Sequence, residues 1–200
     1  MLEARGVSYS YRPGGPSAVT QVSISVPPGR IIGLTGPSGG GKSTLARLLC
    51  GHLRPDSGSI NLDGSPAQAF AVNPVQLLGQ TPIFAVNQRW TVGRIVREGG
   101  EPDDAARAAL AVRREWYDRY PHELSGGELQ RVSILRAMVP QLRYLVADEI
   151  TAMLDPITQA EIWNFLVRFA RDKQVGILAI SHDRALLGRI ADGVVELTRA

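Results

Sequence analysis

Cysteine is almost absent from this 200-residue chain, with Cys50 standing alone. An intrachain disulfide is therefore excluded, and nothing points to an oxidising compartment. Cys50 itself is expected to serve as a small buried apolar residue rather than as a redox thiol. Lysine is nearly as scarce: only Lys42 and Lys173 contribute to the 22 Lys+Arg, which stand against 19 Asp+Glu for a formal charge of +3. So mild an excess, with no basic block, gives no reason to expect nucleic acid or a lipid surface as a binding partner. The arginine richness reads as compositional bias. No apolar run approaches the roughly 18 residues of a membrane span. The opening Met1-Leu2-Glu3-Ala4-Arg5-Gly6 lacks the apolar region of a signal peptide, so a soluble, cytosolic chain is expected. Internal repeats, linkers and low-complexity stretches are missing too. The length suits one α/β domain with a small subdomain.

What the chain does contain is concentrated at Gly36-Pro37-Ser38-Gly39-Gly40-Gly41-Lys42-Ser43-Thr44, which fits G-x-x-x-x-G-K-[ST]. Before it, Arg30-Ile31-Ile32-Gly33-Leu34-Thr35 is short, apolar and bounded by Pro27-Pro28-Gly29, as a buried parallel strand should be. After it, Leu45, Leu48 and Leu49 recur at helical spacing from Thr44 to Cys50, and Gly51 stands where a C-terminal cap belongs. Strand, glycine loop and helix are the context a phosphate cradle requires. Glycines let successive N–H groups turn inward as an anion nest, and the following helix offers its positive end. Lys42 supplies a mobile charge near the β- and γ-phosphates, and the Ser43 hydroxyl can ligate Mg²⁺.

Around this loop the hydrophobic pattern alternates between periods. Positions 7–11 and 22–26 alternate as strands across a turn-rich Arg12-Pro13-Gly14-Gly15-Pro16. Tyr11 ends the first of them, and its ring either packs in the core or stacks on a nucleotide base. Residues 56–64 read as turn, short strand and turn; 65–79 read as a helix followed by the strand Val75-Gln76-Leu77-Leu78-Gly79. Gln80 follows at once, at the strand end where a parallel sheet binds ligands. Between Thr91 and Trp116 helical spacing returns around the break Gly99-Gly100-Glu101-Pro102, marking a small helical insertion. The charged, aromatic stretch 113–120 is either a solvated face or a protein contact.

Two further stretches carry chemistry. In Leu124-Ser125-Gly126-Gly127-Glu128, the S-x-x-E spacing of Ser125 and Glu128 predicts a capping box at a helix start. Gly126 and Gly127 are poor helix formers there, so something is expected to approach that backbone closely, and the helix end makes a second anion site. Tyr144-Leu145-Val146-Ala147-Asp148-Glu149 is a buried strand ending in two carboxylates. Asp148 is expected to hold Mg²⁺ with Ser43, while Glu149 points the other way and orients or deprotonates a water. Residues 158–172 form an amphipathic helix with Ile162, Phe165, Leu166 and Phe169 on one face, and another buried strand runs from Val175 to Ile180. His182 sits just past that strand's end, within reach of a γ-phosphate. A short helix and the edge strand 193–198 close the pattern.

Taken together, these stretches resemble one family across nearly the whole chain, the ATP-binding cassette ATPases. Leu124-Ser125-Gly126-Gly127-Glu128 is similar to that family's signature motif. In family order the resemblance implies that Tyr11 stacks on adenine, that Gln80 is the Q-loop glutamine and that Asp148 and Glu149 are the Walker B aspartate and catalytic base. It also implies that Asp155 belongs to the D-loop and that His182 is the switch histidine. The implied fold is a P-loop NTPase: a mostly parallel sheet with an antiparallel N-terminal β subdomain, residues 81–139 forming a helical subdomain and 1–80 with 140–200 the core. The implied ligands are ATP and Mg²⁺, with Gln80 also near the metal. In this family the anion site at Ser125, Gly126 and Gly127 closes over the phosphate loop of a second cassette subunit, and the dimer works on transmembrane permease subunits from the cytoplasmic face of the membrane. Gln80-Thr81-Pro82 and the stretch Asp148 to Asp155 resemble the dipeptide, oligopeptide and nickel importers. The other readings are a soluble nucleotide-gated switch and a non-hydrolysing partner in a heterodimer.

Overall fold

The computed structural model describes residues 1–66 and 73–198. It opens on β1 (Leu2–Ser10) and β2 (Ser17–Val26), antiparallel with Leu2 opposite Val26 and Ser10 opposite Ser17. Next come β3 (Ile31–Thr35) and α1 (Lys42–Leu49), the expected strand and helix on either side of the glycine loop. β4 (Ser57–Leu62) joins the free side of β1, and β5 (Ser65–Pro66) completes a sheet of order β2-β1-β4-β5. Here the structure corrects the sequence reading, because the helix expected from residue 65 does not begin there. Asp63 and Gly64 both take positive φ (52° and 84°), the two-residue geometry that folds a strand straight back as a hairpin. The remainder of that expected helix, 67–72, lies outside the described residues.

β6 (Val75–Leu78) leads into the insertion, formed by α2 (Val92–Val96), α3 (Asp104–Ala109) and α4 (Gly126–Ala137). The chain then alternates through β7 (Tyr144–Asp148), α5 (Pro156–Lys173), β8 (Gly176–Ile180), α6 (Arg184–Ile190) and β9 (Gly193–Glu196). The second sheet is entirely parallel, in the order β6-β7-β8-β3-β9, with β9 at its edge as expected.

Alternation along β7 shows how the layers are held. Leu145 and Ala147 pack with Ile177, Ala179 and, from the helices, Val132, Leu135, Ile162 and Leu166. Tyr144 and Val146 face the other way, against Leu34, Leu178, Leu45, Leu48 and the antiparallel sheet through Leu2 and Val26. With both faces covered, the four positions from Tyr144 to Ala147 are all buried and mainly apolar, and each buried leucine contributes about 1.5–3 kcal/mol. Cys50 lies in this second cluster with its thiol pKa pushed up by burial, as its reading as a small core residue requires. The Tyr144 hydroxyl donates to Asp63 Oδ1 at 2.7 Å, tying the two sheets together. Thr35, Asp148 and Ile180 all end at one edge, and the chain segments leaving that edge carry the candidate chemistry.

Candidate active site

The glycine loop is walled by its own chain. Gly41 precedes α1 with φ 87°, and a Cβ there would lie 2.1 Å from the Ala18 carbonyl oxygen. At Gly36 a Cβ would lie 2.5 Å from the Leu197 carbonyl oxygen. No side chain fits at either place, so the loop's backbone is held close against β2 and the end of β9. Lys42, only 6% exposed, donates from Nζ to the carbonyl oxygens of Gly36 and Pro37, both at 2.9 Å. A cavity of about 420 Å³ opens above, bounded by the loop from Ser38 through Gly39, Gly40, Gly41, Lys42 and Ser43 to Thr44, and by Tyr11, Ala18, Glu149 and His182. Tyr11 settles away from the core: it is 56% exposed, its hydroxyl lies 3.2 Å from Thr44 Oγ1, and its ring meets Tyr9 edge-on at 5.1 Å. An aromatic face is thus presented at the cavity wall.

Glu149 reaches the cavity by a route that strand alternation did not foretell. β7 stops at Asp148, and Glu149 takes a left-handed conformation (φ 53°) with its N–H donating to the Ile180 carbonyl at 3.0 Å. This turn re-aims the carboxylate. Glu149 Oε1 lies 2.8 Å from His182 Nε2, and Gln80 Nε2 donates to Oε2 at 3.4 Å. Two positions widely spaced in sequence, Gln80 and His182, therefore converge on one carboxylate.

The residues available for Mg²⁺ are the exposed Ser43 in the cavity wall and the half-buried Asp148 beside Glu149. Among the described residues no three His, Cys, Asp or Glu side chains gather as a metal cage. Mg²⁺ needs none, since it usually keeps waters and takes one or two carboxylates with substrate phosphate oxygens. A hydroxyl on the phosphate loop and a single carboxylate at the carboxyl end of β7 fit that chemistry.

Four candidate residues stand apart from this cavity. Ser125 caps α4 as expected, its Oγ accepting from the Glu128 N–H at 3.3 Å while Glu128 Oε2 accepts from the Ser125 N–H at 2.8 Å. That backbone N–H is the chief cause holding the Glu128 carboxyl below its ordinary range. A Cβ at Gly126 would meet nothing within 4 Å, and one at Gly127 only the Thr158 methyl at 3.6 Å and Leu154 Cδ2 at 4.0 Å, both ordinary contacts, so no part of the chain presses on this backbone. Asp155 caps α5, accepting from Thr158 N at 3.0 Å and Ile157 N at 3.1 Å, and these bonds lower its pKa. The Asp-Pro pair at 155–156 is a helix-start signal that the sequence reading passed over. Ala18, which walls both loop and cavity, carried no signal at all.

Fold and cavity together define a P-loop nucleotide hydrolase, with its seat at the carboxyl edge of the parallel sheet. The chain belongs to the ABC transporter family, whose model matches residues 19–152. It is 35% identical over 226 residues to the nickel import ATP-binding protein NikE of Rhodospirillum rubrum, covering 98% of this chain and 80% of that protein. It is 34% identical over 197 residues to YkfD of Bacillus subtilis, an ATP-binding protein provisionally assigned to oligopeptide transport, covering 88% of this chain but only 60% of that protein. Among solved structures, the dimeric bacterial ABC transporter cassette MJ0796 superposes with a TM-score of 0.84 at 20% identity, over 99% of this chain and 94% of that one. The fold expected from the sequence is the fold found.

Proposed function

We propose that this chain is the ATP-hydrolysing subunit of a membrane importer for peptides, nickel or a similarly small solute, acting as one half of a head-to-tail dimer. One observation carries the half-site reading: Glu149 and His182 line the nucleotide cavity, with Gln80 hydrogen-bonded to Glu149, whereas Ser125 to Gly127 present an uncovered helix start elsewhere. A second copy would bring its Ser125, Gly126 and Gly127 over the γ-phosphate held by the first. The backbone N–H groups of that helix start would then neutralise charge that develops in transfer.

Within one subunit, the loop N–H groups and Lys42 seat the phosphates, and Tyr11 offers its ring to the adenine. Glu149 accepts the proton of the attacking water at its carboxylate, and His182 and Gln80 hold that carboxylate in place. Ser43 and Asp148 would hold Mg²⁺, with Gln80 nearby, and the ion would supply neutralisation of the charge on the phosphates. ATP binding closes the dimer and hydrolysis releases it, which is the movement a permease can use.

Among the described residues no helix is long and apolar enough to cross a membrane; in this reading the membrane passage is formed by transmembrane permease subunits. Phe84 supports a protein contact near Gln80: it is 84% exposed beside a groove of about 320 Å³ that also takes in Gln76, Thr81 and Arg136. Docked there, the subunit is peripheral on the cytoplasmic face.

Complementation tests the dimer. Lys42→Ala and Ser125→Arg are each expected to be inactive, and an equimolar mixture is expected to regain ATPase activity through the one intact composite site. A mixture as inactive as its components would overturn action across subunits. For the membrane reading, purification from detergent-solubilised membranes should bring down a polytopic protein; recovery only with ribosomes or DNA would sink it.

A further inference from the structure

Behind Glu149 and His182 lies a second cavity of about 260 Å³, whose far wall includes Thr151, Gln159 and Trp163. Thr151 is 3% exposed, and its Oγ1 accepts two hydrogen bonds, from Trp163 Nε1 at 3.0 Å and from Gln159 Nε2 at 2.9 Å. Both donors lie on α5, one helical turn apart, so a single face of that helix grips the hydroxyl. Thr151 is two residues beyond Glu149, inside a tight turn closed by Ala152 N–H to the Glu149 carbonyl at 3.1 Å and Leu154 N–H to the Thr151 carbonyl at 3.1 Å.

A non-glycine residue in the left-handed region persists only where its surroundings over-determine it. For Glu149 one restraint is its own N–H bond to Ile180 in β8. The restraint on its C-terminal side is the pinned Thr151. We propose that Trp163 and Gln159 are positioning residues for Glu149, acting through Thr151 to fix the turn that aims its carboxylate into the nucleotide cavity. The proposal rests on the reading of Glu149 as the base. Packing alone does not account for the arrangement, because two donors on separate side chains converge on one buried oxygen, next to the one strained residue of the site.

The test uses ATP hydrolysis by the full chain under conditions where the wild type turns over. Trp163→Phe keeps the ring bulk and removes the N–H; Thr151→Val keeps the shape and removes the acceptor; Thr151→Ser keeps the acceptor. Misplacing a catalytic group by a fraction of an ångström to an ångström costs about 10- to 100-fold in rate. Trp163→Phe and Thr151→Val are each expected to lower kcat about 10-fold with KM for ATP unchanged, Thr151→Ser to keep wild-type kcat, and the Trp163→Phe/Thr151→Val pair to be no worse than either alone. In a Glu149→Gln background, Trp163→Phe should leave the residual rate unchanged. Wild-type kcat in both Trp163→Phe and Thr151→Val would overturn the proposal, as would an equal loss in Thr151→Ser or a further loss in the Glu149→Gln background. A Glu149→Gln protein hydrolysing at the wild-type rate would instead remove the base assignment beneath it.

Discussion

Two helix starts in this molecule are rich in glycine, and they are built to opposite ends. At the start of α1 the loop is enclosed by Ala18 and Leu197, its lysine is buried, and Gly41 sits at φ 87°. At the start of α4 nothing lies within 4 Å of where a Gly126 side chain would begin. Both present unpaired N–H groups and the positive end of a helix. Only the first has walls. In the proposed reading one chain carries a finished seat for an anion and an unfinished one, and the missing walls are what a neighbouring molecule would supply.

The comparison can be broken at several points. Glu149→Gln should lower kcat by about 10²–10⁴-fold while ATP still binds, and light scattering should show an ATP-dependent dimer. A monomer at saturating Mg-ATP would mean the open seat never meets the closed one. Adding a methyl group to each helix start separates them directly. Gly41→Ala forces a left-handed residue against a backbone oxygen and should cost on the order of 3 kcal/mol in urea unfolding. Gly126→Ala should stay within about 1 kcal/mol and is free to stabilise the helix. Equal costs would erase the distinction. Lys42→Ala removes charged hydrogen bonds to phosphate worth about 1.5–3 kcal/mol, raising the ATP Kd by about 10- to 100-fold in calorimetry, while Ser125→Ala should leave monomer affinity unchanged.

The smallest difference is in acid. The first turn of α1 holds no acidic residue, whereas that of α4 holds Glu128, whose pKa folding lowers. A lowered carboxyl contributes stability above its unfolded pKa and loses it as pH falls through the folded one, so the loss belongs below about pH 4.5. Glu128→Gln should flatten that limb by about 0.5 kcal/mol or less, a solvent-screened effect read by urea titration at several pH values. An unchanged limb would show that Glu128 does not titrate with folding.

Legibility in the sequence followed the range of the forces involved. The phosphate loop, its strand and its helix were readable because neighbouring residues specify them, and so was the Ser125–Glu128 capping box. α5 begins at Pro156, two residues before the periodicity predicts, because the Asp155 cap and the proline set its start and neither shows as hydrophobic spacing. β5 replaced the start of an expected helix because a turn with two positive φ angles brought Ser65 back beside Leu62. What escaped the sequence depends on distant partners. Tyr11 could be placed in the core or at the cavity until Thr44 and Tyr9 were seen beside it. Likewise the left-handed turn at Glu149 is held by Ile180 on one side and α5 on the other, contacts that no local pattern announces.

Cys50 gives the molecule a practical silence. The only thiol is 1% exposed and raised in pKa, so alkylating reagents meet no thiolate on the folded chain. A cysteine introduced as Phe84→Cys would stand as the sole labelling site, at a position where the native side chain is 84% exposed. Attached spin labels on two copies would report one distance without background, and its change with nucleotide would follow each round of closing and opening.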